Sequence, residues 1–497
     1  MNGLEQHLPI LQVIVPLLTA PLLLLLEQRR LAWLAACAAS LCAFGIAVLM
    51  ATDVHGDATF EYALGSWAAP YGISLVVDAF TALLLLIVTG ASSVALLISG
   101  PGFDANITAE RQPLFLAAWL LALAGLSGIV VAGDAFNIFV FMEISSLATY
   151  VLIAGGAQRQ ALTAVFRYLL MGTIGATFYL VGIGLVYMMT GTLNLADMSE
   201  RVASAPADTP LLAAAGFIAV GLAIKAAVFP LHGWLPNAYV HAPHAVTVFI
   251  GACSTKVALY VLLRFQFTVF HVNFESFERV FAMLFMPLAV AAILVASVLA
   301  VFERNLKKML AYSSVAQVGY IVLGAALLSV AGLSAGIVHM FNHALAKGAL
   351  FIAVACLALR MPSLAIADLA GMARRMPLTM AGFVAAGLSL IGIPGTAGFV
   401  GKWQLVLAAL EQGTLGALLV VPVLLGSLLA VIYVWRVVEG AYFSAGRVED
   451  GRTVRQEAPA PMLILLWLAV AANIWFGLNP ELPLGLAHDA AQSLGGS

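Results

Sequence analysis

The sequence predicts an all-α integral membrane protein of about fourteen transmembrane helices. Three observations predict it: composition, recurring apolar runs and the placement of basic residues. Of 497 residues, 63% are hydrophobic and only 9% are charged, a balance no soluble domain shows. Runs near the ~20 residues that cross a bilayer recur from end to end. Polar breaks divide them into spans near 9–26, 31–50, 73–100, 113–132, 134–154, 162–190, 211–229, 245–264, 281–302, 308–328, 333–358, 377–410, 415–436 and 461–477. With the N-terminus outside, this division sends fifteen basic residues to cytoplasmic loops, among them Arg29, Arg30, Arg304, Lys307, Lys308, Arg447, Arg452 and Arg455. Only Arg201, Arg264 and Arg279 fall on the outer side, where Asp53, Asp57, Glu61, Asp197 and Asp208 collect instead. That asymmetry is expected of a correct crossing count, and it puts both termini on the outer side.

Taken in order, the first span follows Met1 to Gln6 without a basic n-region and leads at once into the second, so it reads as retained rather than cleaved. Cys37, Cys42, Cys253 and Cys356 lie within apolar runs at no metal-ligand spacing and read as small buried hydrophobes, implying neither a metal nor a disulfide framework. A net charge of −2 without a basic tail or stripe gives no support for nucleic-acid binding.

Four of the 22 basic residues remain after the loops are filled: Lys225, Lys256, Lys347 and Lys402. A charge at a helix centre costs roughly 2.5–3.5 kcal/mol on insertion scales, so these lysines are not expected to face lipid. Snorkelling to the interface stays open for Lys402, the nearest to a helix end. Glu143, halfway along the fifth span, needs a cationic partner. Asp78 and Asp134 lie in or beside spans, and Asp134, at a helix start, is equally placed to cap.

The seventh span contains GLAIKAAVFPLHGWLP, where Pro230, five residues after Lys225, breaks or kinks the helix and frees carbonyls near the lysine. The twelfth run, 377–410, is too long for an untilted span and is interrupted by GIPGTAG, with Pro394, shortly before Lys402. Broken helices beside buried charge are a transport signature. In the eleventh span His339, His343 and Lys347 stand at i, i+4 and i+8, one helix face extending about 12 Å at 1.5 Å per residue. Imidazoles titrate near neutrality and can pass a proton from one ring nitrogen to the other, which suits a relay; interhelical hydrogen bonding is the plainer role. Tyr312, Ser313, Ser314 and Gln317 of the tenth span are placed to hold water between lysines or to bond neighbouring helices.

These stretches together resemble the antiporter-like subunits shared by Mrp-type multisubunit Na⁺/H⁺ antiporters, respiratory complex I and membrane-bound hydrogenases. The resemblance spans residues 70 to 440. It rests on GDAFNIFVFMEISSLATYVLIA around Glu143, KAAVFPLHGWLPNAYVHAPHAVTV from Lys225, STKVALYVLLR around Lys256, NLKKMLAYSSVAQVGY from Asn305, HMFNHALAKGALF, and GIPGTAGFVGKW ending beside Lys402. It implies two inverted five-helix repeats, helices 4–8 (113–264) and 9–13 (281–436), with helices 7 and 12 discontinuous. Residues 1–112 would then carry helices 1–3, and 437–497 a cytoplasmic loop and helix 14. It further implies that Glu143 and Lys225 form a switchable ion pair, that Lys256, His339, His343 and Lys347 carry protons laterally, and that Lys402 is the terminal exchange site. The implied partners are H⁺, Na⁺ or K⁺, the lipid bilayer of a bacterial inner membrane, and other membrane subunits; no cofactor or catalytic chemistry of its own is implied.

MTGTLNLADMS at 189–199, lysine rather than glutamate at Lys402 and the chain length look most like the D-type member of the Mrp antiporters, with a proton-pumping subunit of complex I or a membrane-bound hydrogenase as the alternative. The sequence departs from the family at Asn237, Tyr239, His244 and Gln317, which leaves the proton uptake route open; His241 and His244, read as exposed loop histidines, are either substitutes or inert. A structural subunit without transport, or a solute carrier, remain further readings. A redox enzyme is disfavoured, since there is no CxxC cluster, no dinucleotide fingerprint after a strand, and no polar loop longer than that around Glu439 to Pro461. Spans 1–3 and 14 contain little chemistry and are expected to pack and to contact partners.

Overall fold

Hydrocarbon offers no partner for a backbone N–H, so each apolar run must satisfy its main chain internally, and here almost every run is a helix. The computed structural model describes residues 5–54, 59–100, 107, 109–156, 159–204, 209–270, 275–361, 363–444 and 456–495. Arg447, Arg452, Arg455, Asp57 and Asp208 lie outside the described residues.

The chain runs α1 (Leu8–Leu23), α2 (Arg29–Asp53), a hairpin of β1 (Phe60–Ala63) and β2 (Ser74–Val77), α3 (Ala79–Ser99), α4 (Gln112–Val131), α5 (Ala135–Ala154) and α6 (Gln160–Thr190). Then come α7 (Leu195–Ser204), α8 (Thr209–Lys225), α9 (Leu235–His241), α10 (His244–Arg264), α11 (Glu275–Ala291) and α12 (Ser297–Phe302). The rest is α13 (Leu306–Ala326), α14 (Val330–Ala358), α15 (Met372–Arg375), α16 (Pro377–Ile391), α17 (Ala397–Leu410), α18 (Gly413–Val438), α19 (Ala460–Leu478) and α20 (Glu481–Gly495). Among the described residues eleven helical stretches are long and apolar enough to cross a membrane, and α1, α8, α16 and α17 are shorter apolar helices. The protein is thus a helical, multi-pass membrane protein.

Three features differ from the sequence expectation. The fold is not purely helical: β1 and β2 pair antiparallel, Phe60 opposite Val77, and the start of the expected third span at residue 73 is this strand. A further helix, α20, follows the last expected span and packs against α3 and α14. Cys42 is exposed, unlike the other three cysteines.

Burial sorts the helices. α10, α13 and α14 are enclosed on nearly all sides, whereas α6, α18 and α19 bury one face and leave the other apolar face outward. The helices that carry Lys256, Gln317, His339, His343 and Lys347 are therefore the central ones.

Polar groups fix the helix starts. Asp134 caps α5 by accepting from the N–H groups of Phe136 and Asn137, both at 2.9 Å, the capping role left open by sequence. Asp78 caps α3 through Thr81 N–H at 2.9 Å and also accepts from Arg264 Nη2 on both carboxylate oxygens at 2.5 Å. Arg264, expected at the outer end of the eighth span, is the last residue of α10, and its side chain is turned inward, 13% exposed against 12% for Asp78. The guanidinium also donates to Tyr260 and Thr81 and lies 5.6 Å from the Phe80 ring centroid. This pair rivets α3 to α10, because removing one member of a buried pair strands the other charge.

Asp78→Ala is expected to cost about 3–5 kcal/mol of stability, read as earlier unfolding of the purified protein in detergent. Adding Arg264→Met should recover part of that loss. Equal stability of Asp78→Ala and the wild type would show that the pair bears no load.

Candidate functional site

Four lysines expected inside the bilayer are buried, and a fifth joins them. Lys307, expected in a cytoplasmic loop, is buried at the start of α13 and donates to Ala242 O at 2.6 Å, just past the end of α9. It ties α13 to the α9–α10 corner. The error came from a polar neighbourhood, NLKK, that reads as a loop although α13 begins at Leu306.

Glu143 and Lys225 come together. Lys225 Nζ lies 3.6 Å from Glu143 Oε1 and donates to Ser146 Oγ at 2.8 Å. The lysine is buried while the Glu143 side chain is 32% exposed on the outward face of α5. Ser146 was not anticipated; its signal is the i, i+3 spacing from Glu143, which puts both on one helix face. A cavity of about 30 Å³ adjoins the pair, lined by Ser146, Thr149, Tyr168, Lys225 and Ser254 among others. A water needs about 10–15 Å³, so the space suits a short water chain from α8 toward α10.

The first helix break has another origin than expected. α8 ends at Lys225 itself, five residues before Pro230. Ala227 adopts φ +55°, a strained value for a residue with a Cβ. The Ile224 carbonyl there accepts from Ala227 N–H at 3.1 Å and from Trp234 Nε1 at 2.9 Å, not from the lysine. The ammonium is thereby left to side-chain partners.

Lys256 is fully buried in α10 and donates to Gly251 O of its own helix at 2.8 Å. α10 packs against α14, where Gly251 admits no side chain because an added Cβ would stand 2.7 Å from the Phe351 ring. On α14, Lys347 donates to Leu310 O of α13 at 2.6 Å and to Ser313 Oγ. Ser314 only returns a bond to Leu310 O, and Tyr312 is half-buried beside His232 and Lys308 rather than along this line. Gln317 meets His339 Nε2 at 2.8 Å. His343 stacks 6.3 Å from His339, and neither of its ring nitrogens, nor the Asn342 amide, has a protein partner among the described residues. Buried polar atoms of this kind are satisfied by water.

The second break lies between α16 and α17, with Gly392 at φ +91° and Pro394 within the turn. Lys402 is buried and does not snorkel: its ammonium donates to Leu390 O at 3.1 Å, Ile391 O at 2.9 Å and Ser427 Oγ at 3.0 Å. The two carbonyls are orphans of the α16 C-terminus, where the helix dipole is negative and favours a cation. Gly401 lets α17 approach α14, since an added Cβ would lie 2.7 Å from His339 Nδ1. His241 ends α9 and His244 begins α10, both half-buried, so neither is an exposed loop residue.

Residues 132–430 match the family described as NADH:quinone oxidoreductase/Mrp antiporter, TM. The chain is 41% identical to NADH-quinone oxidoreductase subunit N of Desulforudis audaxviator, over 96% of both chains. It is 28% identical to the D-type component of the Na⁺/H⁺ antiporter of Bacillus subtilis, over 98% of this chain and 96% of that one. Its fold superposes on a chain of the Mrp complex from Dietzia sp. DQ12-45-1b with a TM-score of 0.91 at 27% identity, covering 99% and 98% of the two. The chain therefore belongs to the NADH:quinone oxidoreductase/Mrp antiporter family and is an antiporter-like subunit, for which other membrane subunits are the expected partners.

Ser146→Ala removes the shorter of the two contacts to Lys225. At about 1.5–3 kcal/mol for a hydrogen bond to a charged group, it should slow turnover of the assembled protein by at least about tenfold. Turnover unchanged from wild type would mean that Glu143 alone holds the ammonium.

Proposed function

We propose that this chain is the proton-translocating subunit of a multisubunit monovalent cation/H⁺ antiporter, in the place of the D-type Mrp component, exchanging H⁺ for Na⁺ or K⁺. One observation carries the reading. Glu143, Lys225, Lys256, His339, His343, Lys347 and Lys402 all sit on adjoining helices of one bundle, with both helix breaks ending at or beside a lysine. A second reading, a proton-pumping subunit of a redox-driven complex, draws support from the 41% identity to a protein named NADH-quinone oxidoreductase subunit N.

The same reading takes α8–α9 and α16–α17 as one broken crossing each. With α1 and the eleven long stretches this gives fourteen crossings, arranged as inverted repeats over 113–264 and 281–436 between flanks 1–112 and 437–497. Both termini then face the outer side of a bacterial inner membrane, as the basic-residue asymmetry requires.

In the mechanism, Coulomb attraction to Glu143 keeps the proton on Lys225 while the pair is closed. When the pair opens, the ammonium loses its counter-charge in a low-dielectric setting, which disfavours the charged form. The proton then passes through the 30 Å³ cavity past Ser254 toward Lys256. Charge displaced there biases His343, Lys347 and finally Lys402, so coupling is electrostatic. Glu143, open on the outward face of α5, is where a neighbouring subunit would perturb the pair.

The test is cation-dependent ΔpH collapse in everted vesicles containing the assembled complex, without a respiratory donor. Na⁺- or K⁺-dependent collapse that is lost in Lys225→Ala and Glu143→Ala is the expected result. Wild-type rates in correctly assembled Lys225→Ala would sink the pathway. Absence of collapse in the assembled wild type would favour the redox-driven reading instead.

A further inference from the structure

We propose that α19 is a clamp on the α16/α17 break, with Asn473 as the residue that positions Lys402. The proposal rests on the reading of Lys402 as the terminal exchange site. It gives a transport role to a helix for which the sequence predicts packing and partner contacts.

The buried face of α19 is Leu466, Val470 and Asn473, a helical i, i+4, i+7 stripe, and Asn473 is its one polar member. Its side chain makes two bonds. Nδ2 donates to Ala469 O of its own helix at 2.9 Å, which fixes the amide plane. Oδ1 then accepts from Ser389 Oγ at 2.8 Å. With its proton committed to Asn473, the Ser389 hydroxyl accepts from Gly398 N–H at 3.2 Å, across the break. Asn473 thus ties the last turn of α16 to the first turn of α17 through one shared hydroxyl.

Lys402 depends on that geometry. Two of its three acceptors, Leu390 O and Ile391 O, directly follow Ser389, and the lysine itself lies one turn after Gly398. Any shift between the half-helices changes the distance from the ammonium to both carbonyls. The clearances leave little room. A Cβ on Gly398 would stand 1.8 Å from Ser389 O, and a Cβ on Gly477, one turn beyond Asn473 on the same face of α19, would stand 2.4 Å from Thr396 in the break. Helix α19 therefore grips the break twice, by a hydrogen bond at Asn473 and by backbone contact at Gly477. Without the Oδ1 acceptor, the Ser389 hydroxyl is free to turn to a carbonyl of its own helix, the usual alternative for a mid-helix serine, and to release Gly398.

The experiment measures turnover per assembled complex, as cation-dependent ΔpH collapse or donor-driven pumping, for Asn473→Leu, Asn473→Asp, Ser389→Ala, the Asn473→Leu/Ser389→Ala pair, Val470→Ala and Lys402→Ala. Asn473→Leu and Ser389→Ala are each expected to slow turnover about tenfold, the worth of one hydrogen bond that sets a charged group. The pair should be no slower than either single change, because both break one chain of bonds. Asn473→Asp keeps Oδ1 and should recover most of the rate, while Val470→Ala, a packing change on the same face, should lower the amount assembled without lowering turnover per complex. Losses that multiply in the pair, or a rate that merely follows the amount assembled, would overturn the clamp. So would wild-type turnover in Asn473→Leu beside an inactive Lys402→Ala. Wild-type turnover in Lys402→Ala would overturn the terminal-site reading and the clamp with it.

Discussion

An ammonium group inside hydrocarbon must be given oxygen, and the architecture is arranged around doing this five times. Four of the five buried lysines take main-chain carbonyls: Lys256 from Gly251, Lys307 from Ala242, Lys347 from Leu310, and Lys402 from Leu390 and Ile391. A carbonyl in an unbroken helix already accepts from residue i+4, so the better acceptors lie where helices end. Lys307 and Lys402 both use such ends. Lys225 is the exception, because the Ile224 carbonyl beside it is occupied by Ala227 N–H and Trp234 Nε1. Its partners are side chains, Ser146 and Glu143, which can rotate away. Among the five buried lysines, the one with an acidic partner is thus also the one whose partners are all side chains, which is what the proposed switch requires and a relay does not.

Burial follows the same division. The groups of the proposed relay, Lys256, His339, His343 and Lys347, lie on α10 and α14, which are enclosed by other helices. Glu143 lies at the edge of the bundle. The outward face of α5 exposes Phe136, Val140, Leu147 and Val151 in a stripe that brackets Glu143. A half-exposed carboxylate in an apolar stripe is costly against lipid alone, and a membrane partner seated there would both lower that cost and sense the carboxylate's state. The exposed apolar surfaces of α6 and α18 carry no acidic residue among the described residues and suit plain lipid or subunit contact.

Much of the site was legible because the membrane makes charge conspicuous. Lys225, Lys256, Lys347 and Lys402 stood out as residues no loop would accept, GIPGTAG marked the second break, and the i, i+4, i+8 spacing put His339, His343 and Lys347 on one face. The losses have physical causes. Lys307 and Arg264 sit at helix ends, where sequence cannot tell a side chain turned inward from one turned to water; burial and a specific partner decided both. Ser146, Trp234 and Asn473 act through hydrogen bonds to atoms distant in sequence or hidden in the main chain, and no periodicity encodes which atom a side chain will meet. The β1–β2 hairpin was absorbed into an apolar run because its second strand, SLVV, is as hydrophobic as the helix it precedes.

Gln317 shows how one departure from the family pattern would reshape the proposed relay. In the placement found here its Oε1 faces His339 Nε2 at 2.8 Å, and a carbonyl oxygen only accepts, so Nε2 carries the proton and Nδ1 is the acceptor of the neutral ring. That leaves one open nitrogen on His339 and two on His343, whose rings stack in parallel 6.3 Å apart. A histidine at position 317 would add a third titratable ring, whereas an amide fixes a tautomer and cannot hold the proton itself. The amide therefore ends the imidazole pair at His339, and in the proposed pathway the next base is Lys402, on the helix that Gly401 brings against this ring. The Lys402 ammonium is held by Leu390 O, Ile391 O and Ser427 Oγ, so its three donors are committed when it is charged. In the proposed pathway, reception of a proton at that end is set by how the α16/α17 break presents its carbonyls, a property of backbone position rather than of any further acid or base.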